Sequence, residues 1–598
     1  MNRRQFVRTG LAGGATLIAS SRGLLASPGP PTLTKFVDPL RVPVHLPHSN
    51  FYHITMNQAQ AKLHRDLPST PVWSYNSDFV GVVIEAFRGM PVTVRWDNQL
   101  PSNHLFPEAS EPTIHGSTPD IPAVKTVVHL HGAKVLPQFD GYPESWFTNE
   151  ATHVNAPHYR DYRYPNDQPA TQLWFHDHAI GTTRLNFYAG LIGPAYFIRD
   201  NVELNLGLPI NPPFEVPLVI MDRYFTVDAN NKFTGTMLYD TPTTPPPVFK
   251  NSGVTPHHPV WATELWADTA LVNGVVYPFL NVEPRVYRFR TLNACNSRFL
   301  HLSLQNDQTG ALLPFYLIGT DQGFRHRPVK LTSLLKGNAE RHDILVDFSK
   351  LEGHTITMIN DGAAPYPAGG GGPDLPQIMQ FRVVLPLTGK SFLVPPQLTD
   401  DPPLDYLSEA DVRLVRDVPL DEIEDTELDE GRDPNTIEDP NDPVDGSDES
   451  GSPVIGLLEL KHWAAPTSIF PKAGSTEIWR FINATPDTHP IHVHLVEFQV
   501  LDRQQYNVAK FKATRVVDFI DPTTGNPYPV IPAEADEVNA PKDVVRASVG
   551  MVTRIKMKFD LPSGTVPAEG EHFKYVVHCH ILEHEDNEMM RPFEVIAS

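Results

Sequence analysis

Three stretches of this 598-residue chain repeat one pattern, in which apolar and polar residues alternate and lead to an asparagine and a turn. They are EAFRGMPVTVRWDNQLPSNH (85–104), LNVEPRVYRFRTLNACNSRFLHLSL (280–304) and FPKAGSTEIWRFINATPDTHPIHVHL (470–495). Alternation with a period of two is typical of β-strands, whose successive side chains point to opposite faces. A spacing of about two hundred residues predicts three copies of one β-domain, each with half-buried strands, rather than a solenoid of short repeats.

Proline-rich stretches separate these copies and predict where the domains end. LGLPINPPFEVP and LVPPQLTDDPP interrupt the alternation near residues 210 and 390–400, and proline clusters mark turns and linkers. Sixty prolines and 37 glycines, scattered through short apolar stretches, favour many turns between short strands. We therefore expect an all-β protein with domains at 31–210, 211–395 and 396–598.

The first 30 residues predict an export signal rather than structure. Arg3 and Arg4 are followed by Phe6 and a mildly apolar stretch from Gly10 to Ala19, a combination typical of the twin-arginine route. A Sec signal or a disordered basic start are the alternatives. We expect a periplasmic or extracellular protein without a membrane span, because no later apolar run approaches the ~20 residues that a bilayer requires.

Acidic residues are concentrated in one segment of the third predicted domain. The net charge is −22, and residues 421–450 hold fourteen Asp and Glu against the single Arg432. Such a run predicts a solvated insertion, at about 421–452, and its spacing does not fit an EF-hand calcium loop. The acidic balance also argues against nucleic acid as a partner, because phosphate binding requires basic patches.

Histidines form H-x-H pairs more often than chance allows. Twenty-six histidines in 598 residues would give about one such pair at random. The chain has four: HLH (129–131), HDH (176–178), HVH (492–494) and HCH (578–580). On a strand, residues i and i+2 face the same way, so each pair presents two imidazoles in one direction. Two pairs from the first domain and two from the third could therefore meet as an eight-histidine cage.

Cys579 stands between two of these histidines and would face the opposite way, into its own β-domain. His489, His584 and Met589 lie close to it in the sequence. One thiolate, two imidazoles and a weak thioether are the ligands of a blue-copper electron-transfer site, whereas structural zinc rarely uses methionine. The sequence therefore predicts a mononuclear copper joined to the cage through Cys579. Cys295 is expected to be a small buried apolar side chain, without a disulfide.

At these motifs the chain resembles the multicopper oxidases. HLHG, WFHDH, HPIHVH and HCHILEHEDNEMM look like the four copper signatures of that family, and their neighbouring residues are most similar to the bacterial spore-coat laccase and bilirubin oxidase group. The resemblance extends from about residue 35 to the end, apart from the acidic run. It implies three cupredoxin-like Greek-key β-barrels, with a copper cluster between the first and the third.

The resemblance also implies a ligand role for each matching residue, and four copper ions in total. A type-2 ion would be bound by His129 and His492. A type-3 pair would be bound by His131, His176, His178, His494, His578 and His580. A type-1 ion would be bound by His489, Cys579, His584 and Met589.

Asp140, Glu585 and His489 are the further catalytic residues that the resemblance implies. The two carboxylates match acidic residues that related enzymes hold near the cluster, where O2 reduction consumes protons. The alternatives are a turn role for Asp140 and a supporting or surface role for Glu585. His489 is predicted to receive the electron from the donor. The implied enzyme is a laccase- or bilirubin oxidase-like monomer that couples one-electron oxidation of phenolic or pyrrolic donors to reduction of O2 to water.

Three other functions fit the sequence less well. A metallo-oxidase for Cu(I) or Fe(II) is the main alternative, but Cu(I) uptake normally uses clustered thioethers. Of the eleven methionines, only Met589 and Met590 are adjacent or closely grouped. A copper nitrite reductase would lack the HDH pair, and a copper-storage protein would not need a complete catalytic array.

Overall fold

The computed structural model of this chain consists mainly of β-strands, as predicted for the all-β class. It describes residues 31–598 except 77–78, 111, 113, 150–157, 240–263, 400–408, 422–456, 459–460, 462 and 564. The predicted export signal and almost all of the acidic run lie outside the described residues. Within the described ranges, no helix has the length and apolar character needed to cross a bilayer.

The strands form three successive pairs of sheets. The first pair contains β1 Phe51–Ala61, β2 Thr70–Tyr75, β3 Val83–Phe87, β4 Val92–Asn98, β5 Val128–His131, β6 Tyr159–Tyr164, β7 Thr171–Asp177 and β8 Ile192–Arg199. One sheet has the order β2-β1-β4-β6 and the other β3-β8-β7-β5. Strands distant in sequence are therefore neighbours, as in Greek-key folds.

The second pair of sheets is the largest. It contains β9 Glu215–Val227, β10 Phe233–Leu238, β11 Thr269–Val272, β12 Val275–Val276, β13 Phe279–Val282, β14 Val286–Asn293, β15 Leu300–Asn306, β16 Phe315–Thr320, β17 Gly323–Leu331, β18 Ser333–Lys336, β19 Arg341–Asp347, β20 Thr355–Asn360 and β21 Gln377–Val383. The orders are β12-β11-β9-β14-β19-β16-β17, with β10 on β9, and β13-β21-β20-β15-β18.

The third pair contains β22 Val412–Asp421, β23 Leu457–Leu458, β24 Thr476–Asn483, β25 His489–Val493, β26 Phe498–Gln505, β27 Val530–Pro532, β28 Val544–Ala547, β29 Met551–Lys558, β30 His572–Cys579 and β31 Met590–Ile596. Its orders are β23-β22-β24-β29-β26-β27 and β28-β25-β30-β31. The described helices are short: α1 Thr183–Ala189, α2 Asn201–Asn205, α3 Val508–Thr514, α4 Leu582–Asp586, and the 3-10 turns Pro107–Ala109, Pro137–Phe139 and Glu409–Asp411.

The three repeated stretches occupy equivalent places in the three pairs of sheets. Strands β4, β14 and β24 each run parallel to the first strand of their pair, namely β1, β9 and β22. Each ends in an asparagine, Asn98, Asn293 or Asn483, whose Oδ1 accepts the backbone N–H two residues later at 3.0, 3.1 and 2.9 Å. An asparagine side chain that binds its own backbone in this way stabilises a turn. The repeat predicted from the sequence therefore corresponds to one structural unit.

Burial of these strands differs from the half-buried pattern that the alternation predicts. Only β4 keeps buried and partly exposed residues in alternation over its first half, whereas β14 is buried at every position and β24 at all but one. The polar residues of β14 remain buried because they are paired. Arg288 bonds Asp343, and Arg290 bonds Glu203 and Glu215 at 2.6 and 2.9 Å. A buried ion pair that is fully hydrogen-bonded can replace solvent on that face.

Apolar packing links the first two pairs of sheets, whereas most of the third pair packs into a core of its own and joins the first through a smaller cluster that includes Ile180 and Val576. One continuous cluster includes Trp96 and Phe175 of the first pair and Phe289 and Phe381 of the second. A separate cluster fills the third pair. The predicted boundaries at 210 and 395 fall between β8 and β9 and between β21 and β22. As limits of independent domains they stay predictions.

Candidate metal centre

The eight histidines of the H-x-H pairs are buried and lie together between the first and third pairs of sheets. His129 is directly opposite His176 across β5 and β7, and His492 is opposite His578 across β25 and β30. Rings from the two halves stack: the His129 and His494 centroids are 3.8 Å apart. The other stacked pair, His131 and His492, has centroids 3.7 Å apart. The structure therefore brings together the cage that the spacing predicts.

Hydrogen bonds to backbone carbonyls assign the tautomer of half of these imidazoles. The Nδ1–H groups of four of them donate to backbone carbonyl oxygens at 2.6–3.0 Å, in His129, His176, His492 and His578. Because a carbonyl can only accept, Nδ1 carries the proton and the Nε2 lone pair is left for another partner. Six ring nitrogens of the cage have no hydrogen-bond partner among the described residues: Nε2 of His129, His176, His492 and His580, and Nδ1 of His131 and His178.

Burial holds the cage in its neutral, metal-binding form. It lowers the pKa of His178 and of His578 to about 4, because a charged imidazole is disfavoured away from water. Ring nitrogens within 4.8 Å of one another form three sets: His129, His131 and His492; His131, His176 and His580; and His178, His494 and His578. Neutral imidazoles with lone pairs converging in threes fit metal ions, and they fit copper among others.

A second buried cluster surrounds Cys579 in the apolar core of the third pair of sheets. Cys579 Sγ lies 3.6 Å from His489 Nδ1 and 4.0 Å from His584 Nδ1, and the two nitrogens are 3.3 Å apart. Met589 is fully buried in the same core. Its carbonyl accepts the Cys579 N–H at 2.9 Å. The thiol therefore faces away from the cage, as predicted, and three of the four predicted ligands, His489, Cys579 and His584, converge there, with Met589 packed in the same core. Cys295 is a separate free, buried thiol, as expected.

Asp140 joins the two halves of the cage. Its Oδ2 accepts a hydrogen bond from His494 Nδ1 at 2.7 Å, and its carbonyl accepts one from His129 Nδ1 at 2.6 Å. Burial raises the pKa of its carboxyl group well above the ordinary value. The Asp140–Gly141 pair is also a turn: Gly141 has φ +82°, and a Cβ there would lie 2.3 Å from the carbonyl oxygen of Val128. The turn role and the role beside the cage therefore belong to the same residue, Asp140.

Glu585, on α4, reaches the cage from the side of the third pair of sheets. Its two carboxyl oxygens lie 3.3 Å from His178 Nδ1 and 3.1 Å from His578 Nδ1. Burial raises the pKa of this group to about 8. The next residue, Asp586, accepts hydrogen bonds from the backbone N–H groups of Thr183 and Arg184 in α1. This contact fixes α4, and Glu585 with it, against the first pair of sheets.

Asp543 is a buried residue of the site that the sequence reading missed. Its Oδ1 lies 3.2 Å from His131 Nε2, and its carbonyl accepts a hydrogen bond from His492 Nδ1 at 2.8 Å. Arg341, on β19 of the second pair, donates to both carboxylate oxygens at 2.7 and 2.5 Å. The middle pair of sheets, which has no H-x-H motif, thus positions Asp543 beside the cage through Arg341 and through Gln322, whose Nε2 donates to Oδ2 at 2.6 Å. A lone Asp before a strand gives no signal in the sequence.

The two histidines beside Cys579 differ in the group that lies next to their Nε2 atom. His489 Nε2 is 2.6 Å from the hydroxyl of the buried Thr485. His584 Nε2 instead lies 3.7 Å from a carboxylate oxygen of Glu264, whose side chain is 10% exposed. Both rings are buried. The predicted role of His489 in receiving the electron stays a prediction.

We expect Met589→Leu to keep the blue copper and to raise its reduction potential. The thioether is a weak electron donor, and the axial ligand tunes the potential of such sites. Leucine has a similar volume, so the core around Cys579 should repack at little cost. Redox titration of the visible band checks this. Met590→Leu is the matched control, and a shift in that variant alone would transfer the axial role to Met590.

A thiolate and a thioether beside neutral imidazoles select copper over harder metal ions. The fold and the site therefore define a copper-dependent oxidoreductase with cupredoxin-like sheets.

The multicopper oxidase family profile matches residues 446–598. The laccase of Bacillus subtilis strain 168 is 39% identical over 578 residues, which cover 94% of this chain and 99% of that laccase. Multicopper oxidase LPR1 homolog 1 of rice (Oryza sativa subsp. japonica) is 35% identical, over 91% of this chain and 88% of its own.

The crystal structure of the McoA multicopper oxidase from Aquifex aeolicus has the same fold. Its TM-score is 0.67 at 22% identity, covering 94% of this chain and all of that one. The sequence relatives match over nearly the whole length, so this chain belongs to the multicopper oxidases, the family predicted from its copper motifs. It is a copper-dependent oxidoreductase that uses O2 as electron acceptor.

Proposed function

We propose that this enzyme is a laccase-type oxidase, which takes single electrons from small phenolic or pyrrolic donors and passes them to O2, forming water. The position of Cys579 is the observation that carries this proposal. Its side chain lies in the mononuclear cluster, while its chain neighbours His578 and His580 lie in the cage. Two covalent paths of a few bonds therefore join the two centres. Relatives named laccase, at 38–39% identity, support the same reaction.

We assign four copper ions to the two clusters. The His489–Cys579–His584 cluster, with Met589, would hold the type-1 ion. The sets His131–His176–His580 and His178–His494–His578 would each hold one ion of the type-3 pair, and His129 with His492 would hold the type-2 ion. When bound, these ions supply the one-electron redox chemistry and the site of O2 reduction. The chain supplies ligands, orientation and protons.

Asp140 and Glu585 supply the protons in this proposal. O2 reduction to water consumes four electrons and four protons, so a proton is needed for each electron that arrives. Both carboxyl groups are buried, touch cage histidines and have a raised pKa, of about 8 for Glu585. A carboxyl group with such a pKa can hold a proton at neutral pH and release it. Asp140 Oδ1 and both Glu585 oxygens make no hydrogen bond within the described residues.

Electron uptake is proposed through the imidazoles of the Cys579 cluster, with His489 as the predicted entry point and Glu264 beside His584. His584 would bind copper through Nδ1, while its Nε2 faces the Glu264 carboxylate at 3.7 Å. A carboxylate at that edge favours donors with a positive charge or a hydrogen-bond donor over anionic ones. Export by the twin-arginine route and a monomeric state are proposed from the sequence alone.

Glu264→Gln should therefore change donor preference more than it changes turnover of a neutral phenol. The interaction energy of two unit charges about 4 Å apart is about 1 kcal/mol in water and more near a protein surface. We expect the ratio of kcat/KM for a cationic aromatic amine over a sulfonated donor to fall about tenfold at low salt, and by less at high salt. Glu352→Gln, an exposed carboxylate in the turn between β19 and β20, controls for net charge. An unchanged ratio would remove Glu264 from the donor site.

Comparing donors on one copper-loaded preparation tests the proposed function. Turnover of 2,6-dimethoxyphenol, bilirubin, Cu(I) and Fe(II) would be followed with O2 uptake. We expect the organic donors to be oxidised faster, at four electrons for each O2 consumed and without release of hydrogen peroxide. Faster oxidation of Cu(I) or Fe(II) would favour the metallo-oxidase alternative. Peroxide as the product would contradict four-electron reduction.

A further inference from the structure

A second group of histidines lies on the outer face of the first pair of sheets, away from the copper centres. His53 is on β1, Asp97 is on β4, and His158 directly precedes β6. These strands are neighbours in the sheet β2-β1-β4-β6, whereas the copper histidines of this pair are on or next to β5 and β7 of the facing sheet. The three residues match none of the family's copper motifs.

Strand register explains why His53 and Asp97 meet, and a backbone hydrogen bond places His158 beside them. On β1, β4 and β6 the odd-numbered residues form the face that looks away from the core over residues 51–57, 93–97 and 159–163. Asp97 is opposite Thr55 on β1 and Tyr159 on β6, so His53 approaches it diagonally from one side. His158 approaches from the other side, held by a 2.9 Å hydrogen bond from Asn98 N–H to its carbonyl.

The imidazoles cover the carboxylate from both sides. His53 Nε2 lies 2.9 Å from Asp97 Oδ2, and His158 Nε2 lies 3.3 Å from Asp97 Oδ1. The Asp97 side chain is 5% exposed, whereas those of His53 and His158 are 51% and 47% exposed. Oδ1 is buried and makes no hydrogen bond within the described residues, although His158 Nε2 is so close. A buried carboxylate oxygen without a donor indicates a missing partner.

Each imidazole lies at a ligand-to-ligand distance from a different oxygen of Asp97, so one ion would bind both histidines by taking both carboxylate oxygens. Histidine nitrogen and carboxylate oxygen bind zinc at about 2.0–2.2 Å. Two such ligands on one tetrahedral ion are therefore about 3.3 Å apart, and two at right angles about 2.9 Å apart. The observed separations are 3.3 and 2.9 Å. Imidazole together with carboxylate suits Zn²⁺ and Cu²⁺, with Cu²⁺ bound more tightly in the general affinity order.

Charge around the three residues also allows a cation. Arg95, on the same face, is engaged by Asp161 through two hydrogen bonds of 2.7 Å and lies over the Tyr159 ring. The remaining negative charge belongs to Asp97, whose Oδ2 also accepts from Gln99 at 3.1 Å. We propose that His53, Asp97 and His158 form a surface site for a divalent late first-row transition ion, open to water at its remaining positions.

Titration of the copper-loaded enzyme with Zn²⁺ tests this site. Calorimetry should give one Zn²⁺ bound per chain, and binding should weaken at least about tenfold in His53→Ala and in His158→Ala. Both histidines are half exposed, so the variants should fold and keep copper content and oxidase turnover. His301→Ala is the matched control, since His301 pairs with a single exposed carboxylate, Asp361, and should bind Zn²⁺ as the wild type does.

Diffraction at the zinc edge from Zn²⁺-soaked crystals locates the ion. The expected result is an anomalous peak within about 2.2 Å of both Nε2 atoms and of an Asp97 oxygen, with the copper content unchanged. Absence of Zn²⁺ binding would overturn the proposal. So would binding that survives in both histidine variants, or Zn²⁺ uptake matched by loss of copper, because the ion would then occupy another site.

Discussion

Replacing Cys579 by serine will abolish the blue colour and the oxidase activity of this enzyme while leaving its fold intact. In the proposed assignment the thiolate is a ligand of the mononuclear copper and the first atom of both chain paths to the cage, through His578 and His580. A hydroxyl group is a poor ligand for the same ion, since soft sulfur donors favour copper. Steady-state turnover should fall to the level of the copper-free protein, and copper content should fall by one ion per chain.

Cys295→Ser is the matched control for this variant. Cys295 is also buried and free, but it lies at the end of β14 in the second pair of sheets. Its replacement should cost some stability, because a hydroxyl group is less favourable than a thiol in an apolar site. Colour and turnover should remain. A Cys579→Ser enzyme that stayed blue and active would contradict the assignment of both centres.

Asp140→Asn is expected to produce the second-largest loss. Asparagine has the same shape, so it can keep its place beside His494, but it has no ionisable proton and no negative charge. Because a positioned acid typically contributes a factor of 10²–10⁴, the reaction of the reduced enzyme with O2 should slow about a hundredfold. Reduction of the enzyme by its donor should change little, because Asp140 does not contact the Cys579 cluster.

Stopped-flow measurement of the two half-reactions separates these effects. Copper content must match the wild type, since Asp140 also accepts hydrogen bonds from His494 and, through its carbonyl, from His129. If only the donor half-reaction slowed, Asp140 would belong to structure or donor binding. If copper were lost, the role of Asp140 would be to orient the histidines.

Local spacing was enough to predict most of the metal centre from the sequence. Each H-x-H pair is on or at the end of a strand, where residues i and i+2 face the same way. For HCH, the same rule places Cys579 on the side opposite His578 and His580, and the structure has it in the third apolar core. The asparagine that ends each repeat also has a local role, so the three equivalent strands could be recognised.

What the sequence did not reveal depends on contacts between distant segments. Asp543 and Arg341 are 202 residues apart and meet at His131 only because the second pair of sheets packs beside the cage. Glu264 reaches His584 across an even longer separation. The full burial of β14 has the same origin, because the partners of Arg290 are on β9 and α2. No local pattern encodes such pairings.

Diffraction at the copper edge from crystals of the copper-loaded enzyme tests the central claim most directly. The account predicts four anomalous peaks at the two clusters. One peak should lie among His489, Cys579 and His584, and three should lie among the eight cage histidines. A cage with fewer than three copper ions in fully loaded and active crystals, or a Cys579 cluster without copper, would contradict it.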